Sequence, residues 1–185
     1  MSDWNLPSGD FRGKIVKVHD GDTVTVLQRD GSLANVRLAN IDAPELMQQG
    51  GTASRDRLRD LIYGRDLNVA ATPDTTYGRA VGTLLDRNAT NYNLGQVRSG
   101  NASAYEQFLR DPAALQAQAE AAAAKAGFWA TGGPPDAAAF RHAQPQSMPT
   151  PGGTQNGLRG SSIDDTIEYL RNPRVIQDLM LDGGK

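Results

Sequence analysis

Asp20-Gly21-Asp22-Thr23, Arg37, Asp42-Ala43-Pro44-Glu45 and Tyr77-Gly78-Arg79 bring carboxylates and guanidinium groups to positions beside turn signals. Such a set suits hydrolysis of a phosphodiester. That reaction must bring water to an anionic phosphorus, offset the charge of the five-coordinate transition state and let an alkoxide leave. Carboxylates hold a hard divalent cation, which prefers oxygen ligands. The cation polarises the phosphoryl group and acidifies water. A further carboxylate can take the water's proton, and arginines grip phosphate oxygens in a planar, bidentate fashion that lysine does not offer. Asp22, Asp42, Glu45, Arg37 and Arg79 match those needs.

Composition narrows the alternatives. The chain has 185 residues, 38% of them hydrophobic, which is room for one ordinary domain and an appendage. It has no cysteine, so disulfide staples and zinc-thiolate sites are excluded. The only histidines are His19 and His142, too few for a histidine-based metal nuclease, which leaves an oxygen-only metal site. Net charge is -2, unlike proteins that hold phosphate backbones by a diffuse basic surface. Arginine outnumbers lysine 15 to 4, which favours discrete phosphate clamps. No apolar run approaches the roughly 20 residues of a membrane span. The Met1-Ser2-Asp3-Trp4 start lacks the features of a signal peptide. The expectation is a protein without a membrane partner, cytoplasmic or incorporated into a larger assembly.

The elements that must position these residues are mostly strands. Residues 13–18 alternate and break at Asp20-Gly21-Asp22; residues 23–27 alternate again, and Arg29-Asp30-Gly31-Ser32 is a hairpin turn before residues 33–39. In that third strand Val36 and Leu38 share one face, so Arg37 takes the other and points away from the core. Residues 52–63 read as a helix with Ala53, Leu58, Leu61 and Ile62 near its apolar stripe and Gly64 as its stop. Arg55, Arg57 and Arg59 alternate with Asp56 and Asp60 as a solvated face. Residues 67–71 and 80–85 supply two further strands, and the loop 72–79 between them carries Tyr77 and Arg79. Residues 93–99 form a short helix. Asp111-Pro112 opens an alanine-rich helix ending at Gly127. Five strands with helices interposed predict a mainly β, α+β fold: a five-stranded OB-like barrel with about three helices.

Val18-His19-Asp20-Gly21-Asp22-Thr23-Val24, Val36-Arg37-Leu38, Ile41-Asp42-Ala43-Pro44-Glu45, Tyr77-Gly78-Arg79, Asn93-Leu94 and Gly100-Asn101-Ala102 fall in an order and spacing that resembles the staphylococcal nuclease (thermonuclease) family. The resemblance covers residues 12–130. It implies an OB-fold nuclease domain, monomeric, that cleaves DNA, RNA or both with calcium (Ca2+). It implies Asp22 and Asp42 as direct calcium ligands, the backbone carbonyl of Ala43 as a third and Asp20 as a water-mediated partner. Ala43 stands where the best-studied member has threonine, a difference a carbonyl ligand does not feel. Glu45 would orient or deprotonate the attacking water, Arg37 and Arg79 would clamp phosphate, and Tyr77 would contact nucleotide or phosphate. Thr76 stands where a lysine can occur, and the loop after Ala102 is short, with Tyr105 as the base-stacking residue.

Beyond the nuclease-like region, residues 1–11 read as an N-terminal arm and residues 131–160 as a Pro/Gly-rich flexible linker. Residues 161–185 read as a short helical tail. Ile163, Ile167 and Leu170 share one face there, and Val175, Ile176, Leu179 and Met180 a second. Helices that small must dock on their own barrel or on a protein partner. The competing functional reading is therefore an inactive OB-fold adaptor for nucleic acid or protein, tethered by residues 161–181.

Overall fold

Five strands close into a barrel, and the computed structural model describes residues 9–76 and 78–143 of it and its surroundings. Strands β1 (Phe11–Val18), β2 (Thr23–Gln28) and β3 (Leu33–Leu38) form an antiparallel meander. A two-residue strand, β4 (Ile41–Asp42), and helix α1 (Gly51–Ile62) follow. Then β5 (Asp66–Thr76) and β6 (Arg79–Leu85) form a hairpin that completes the ring, β5 pairing antiparallel with β1 and β6 parallel with β3. Helix α2 (Tyr92–Arg98), strand β7 (Ser103–Ala104), helix α3 (Ala113–Ala123) and helix α4 (Ala137–Ala143) come after the barrel.

Alternation fills the interior. Ile15, Val24, Val26, Val36, Leu38, Leu67, Val69 and Leu84 are all buried, each spaced by two from its neighbour where a strand supplies several. Closure leaves no free sheet edge in the ring, and the intervening positions face outward. Arg37 is one of them, paired across β2 to Thr23 and across β6 to Val81. The α+β barrel expected from the sequence is the fold observed, and its five strands are the five segments named above.

Four local differences have physical causes. Strand β5 runs on to Thr76 instead of ending at Ala71, with its register slipping between Ala71 and Thr75. Pro73 lies in that interval and has no N–H for the ladder, so the strand bends past it and resumes. In α1 the buried residues are Gly51, Ser54, Leu58 and Ile62, whereas Ala53 is exposed. The Ser54 hydroxyl satisfies itself by donating to the Asn101 carbonyl at 2.6 Å, which makes a polar residue acceptable on the inner face. Helix α3 stops at Ala123, short of Gly127. At Gly100 a Cβ would lie 2.0 Å from the Ala126 carbonyl, and Phe128 N–H donates to the Gly100 carbonyl at 3.0 Å, so the chain leaves the helix early to make this backbone contact. The fourth difference is α4, a helix within the stretch expected to be linker. Linker residues 144–160 and the tail lie outside the described residues, as do residues 1–8 and Tyr77.

Candidate functional site

The site gathers at the rim where β2, β3 and β6 lie side by side. The turn from β1 to β2 presents Asp20-Gly21-Asp22, and it is held from behind. Gln96 of α2, fully buried, donates through Nε2 to the Gly21 carbonyl at 3.3 Å and the Ser54 carbonyl at 2.8 Å. Gly21 is required here because a Cβ would fall 1.9 Å from Ser54 Oγ and 2.6 Å from Ala43 Cβ. The end of β3 is fixed by Asn93, which donates through Nδ2 to the carbonyls of Ala39 and Gly82 and accepts from Leu84 N–H. From there the chain turns through β4, and Asp42 pairs across to Ser103 of β7.

Asp22 and Asp42 converge. Arg37 Nη2 lies 3.0 Å from Asp22 Oδ2 and 2.9 Å from Asp42 Oδ1, so carboxylates from two separate segments share a single nitrogen. Asp22 Oδ2 also accepts from Ala43 N–H at 2.8 Å, and Asp22 Oδ1 accepts from Thr23 Oγ1 at 3.1 Å. Asp20 accepts the Asp22 N–H at 2.9 Å, which shapes the turn. Arg37 Nη1 donates to the carbonyls of Leu38 at 3.0 Å and Ile41 at 2.9 Å. Both terminal nitrogens of Arg37 are thus committed to the site's own acceptors, and gripping phosphate requires an exchange of partners. Arg79 is held more loosely, by Thr76 carbonyl and Thr23 Oγ1, both at 3.3 Å. Through Thr23 it adjoins Asp22. Tyr105 lies beside Arg37, whose guanidinium carbon is 5.8 Å from the ring centroid, and it meets Phe108 edge-on at 5.0 Å. Phe108 is largely exposed.

The site contains a residue that the sequence did not bring forward. Arg141, from α4, donates to Asp42 Oδ1 at 3.2 Å, Asp42 Oδ2 at 3.0 Å and Glu45 Oε1 at 2.7 Å. Asp136 accepts from Ala139 N–H at 2.8 Å, and Gln48 Nε2 donates to the Asp136 carbonyl at 3.0 Å. The same Gln48 accepts from Glu45 N–H at 3.2 Å. One side chain therefore ties the Glu45 loop to the start of α4. An Asp before an alanine run is a helix-start signal, and here the Pro and Gly residues around it outweighed that signal in the composition.

Burial makes the pair electrostatically demanding. Loss of hydration pushes the Asp22 carboxyl up to about 6, opposed by Arg37 and reinforced by Asp20. Burial also raises Asp42, against the hydrogen bond from Arg141 and the charge of Arg37. Arg37 alone does not satisfy these carboxylates. Among the described residues no three His, Asp or Glu side chains form a ready-made metal cage. Two carboxylate oxygens nevertheless fit a calcium-type ion, which accepts its remaining ligands from backbone, water or substrate. The guanidinium of Arg141 already lies against both oxygens of Asp42.

A stability prediction follows from the sign of the Asp22 shift. The folded chain keeps this proton up to about 6 and the unfolded chain releases it near 3.8, so stability falls as pH rises between these values and the loss is complete above them. Asp22→Asn removes that step. In chelator, the variant should be more stable than the parent by about 1–3 kcal/mol near neutral pH, with a smaller margin near pH 4.5. Thermal melts at the two pH values check this; a margin that does not change with pH would contradict it.

Comparison with known proteins is consistent across its results. A family model described as Staphylococcal nuclease homologue matches residues 35–131. A Haemophilus influenzae protein named "Uncharacterized endonuclease" is 37% identical over 135 residues, covering 73% of this chain and 75% of its own. A protein of the same name from Escherichia coli O157:H7 is 35% identical over 139 residues, or 75% of this chain and 90% of its own. The "Micrococcal nuclease" of Shigella flexneri is 35% identical over 130 residues, 65% of this chain and 74% of its own.

Proposed function

The chain belongs to the staphylococcal nuclease homologue family, and from that premise we propose that it is a calcium-dependent nuclease hydrolysing phosphodiester bonds of DNA, RNA or both. The observation that carries this reading is the convergence of Asp22 and Asp42 on one nitrogen of Arg37, with Glu45 linked to the same Asp42 through Arg141. Names of relatives support the reaction class, and the closeness of the carboxylates and arginines supports the assignment of roles.

Asp22, Asp42 and the backbone carbonyl of Ala43 would hold the calcium ion, with Asp20 shaping the turn that presents Asp22. When bound, the ion supplies positive charge against phosphoryl oxygens and Lewis acidity toward water. Glu45, about a third exposed, orients the attacking water and takes its proton. Arg79, with two long hydrogen bonds among the described residues, has guanidinium donors to offer phosphate, where they stabilise the charge that grows in the transition state. Arg37 holds the carboxylates in register and supplies the second phosphate grip after exchanging partners. Tyr105 stacks on a nucleobase, and Tyr77 contacts nucleotide. No helix among the described residues is long and apolar enough to cross a membrane.

Digestion of plasmid DNA and of RNA with calcium, magnesium or chelator tests the proposal. Cleavage of at least one substrate with calcium and none in chelator is expected. Equal cleavage in chelator would contradict the metal-assisted mechanism, and no cleavage of either substrate with calcium would contradict nuclease activity.

A further inference from the structure

We propose that Arg141 is an intramolecular latch: its guanidinium occupies the cation side of Asp42 and Glu45, and a divalent cation must displace it before the site is competent. This inference rests on the calcium reading above and adds a regulatory contact to it.

The contact obstructs two functions at once. Asp42 Oδ1 is shared between Arg37 and Arg141, and Oδ2 is taken by Arg141, so neither oxygen of Asp42 is left without a cationic partner. Glu45 Oε1 is bound to Arg141 at 2.7 Å, which opposes its service as a proton acceptor. Two positive charges cannot sit at the same carboxylate without repulsion, so seating a divalent ion there disfavours the docked arginine.

The arm carrying Arg141 is built to let go. Over its described residues, Ala137–Ala143, helix α4 buries one residue, Ala137. Its polar attachment is the hydrogen bond from Gln48 to the Asp136 carbonyl and the Arg141 ion pairs. The Arg141 side chain is 37% exposed and that of Glu45 34%, so water competes for these contacts. Asp42, only 8% exposed, is the exception and gives the latch its purchase. The docked arm is therefore an equilibrium partner of the site, and the fraction of molecules with the arm released scales the apparent affinity for cation.

Titration calorimetry with calcium on the full chain, Arg141→Ala and Arg141→Lys decides the matter, with circular dichroism to establish that each is folded. Arg141→Ala should bind calcium about three- to tenfold more tightly than the parent, the factor by which a mostly closed latch lowers affinity. Arg141→Lys, with a charge but no planar fork, should fall between them. In the parent, calcium should also speed cleavage after Arg141 by an arginine-specific protease, because the released side chain can enter the protease pocket. Unchanged or weaker binding in folded Arg141→Ala, or a cleavage rate indifferent to calcium, overturns the latch and leaves the calcium site standing. Absence of calcium binding in every variant overturns both.

Discussion

Glu45→Gln should slow phosphodiester cleavage by about 10²–10⁴-fold, the usual contribution of a positioned general base. The amide keeps the size of the side chain and an oxygen that can accept from Arg141, so the loop from Ala43 to Gln48 retains its hydrogen bonds. What it loses is the ability to take a proton from water at neutral pH. The loss should appear in single-turnover rates under saturating calcium, with the melting temperature close to the parent. Near-native turnover would remove Glu45 from the chemistry and leave the carboxylate pair without a base.

The two arginines should separate when each is replaced. Arg37→Ala leaves Asp22 and Asp42, both nearly buried, without the guanidinium they share. Breaking a buried charge cluster by removing one partner costs about 3–5 kcal/mol, so this variant should unfold at markedly lower denaturant when calcium is absent. Arg79→Ala disturbs only two 3.3 Å hydrogen bonds and should alter stability by less than about 1 kcal/mol. Its cost lies in rate, about 10²–10³-fold, if its donors meet the growing phosphate charge. Denaturant unfolding and single-turnover cleavage on both variants check the contrast. Equal stability losses would contradict the division of labour between a structural and a substrate-facing guanidinium.

What the sequence revealed and what it concealed divide along the range of the interactions involved. Alternation in residues 33–38 placed Val36 and Leu38 inside and Arg37 outside because a strand's period is two, and the barrel obeys it. Asp20-Gly21-Asp22 announced a turn through residue type alone. The stop of α3 was misplaced because its cause is a tertiary contact, the close approach of Gly100 to the Ala126 carbonyl, which alanine propensity cannot register. Ser54 on the inner face of α1 is legible only once Asn101 is known to lie opposite. Arg141 is the extreme case. It meets Glu45 across 96 residues of chain from a segment whose prolines and glycines suggested a linker. Its partners are two carboxylates far away in sequence, a pairing that no local pattern encodes.

In the proposed mechanism Asp22 and Asp42, distant in sequence, jointly seat one cation. Calcium titration of the parent chain beside folded Asp22→Asn and Asp42→Asn tests it most directly. One calcium site is expected in the parent and none in either variant alone, since each substitution removes a charged oxygen that the other carboxylate cannot replace. Parent-like calcium binding by both variants would contradict it.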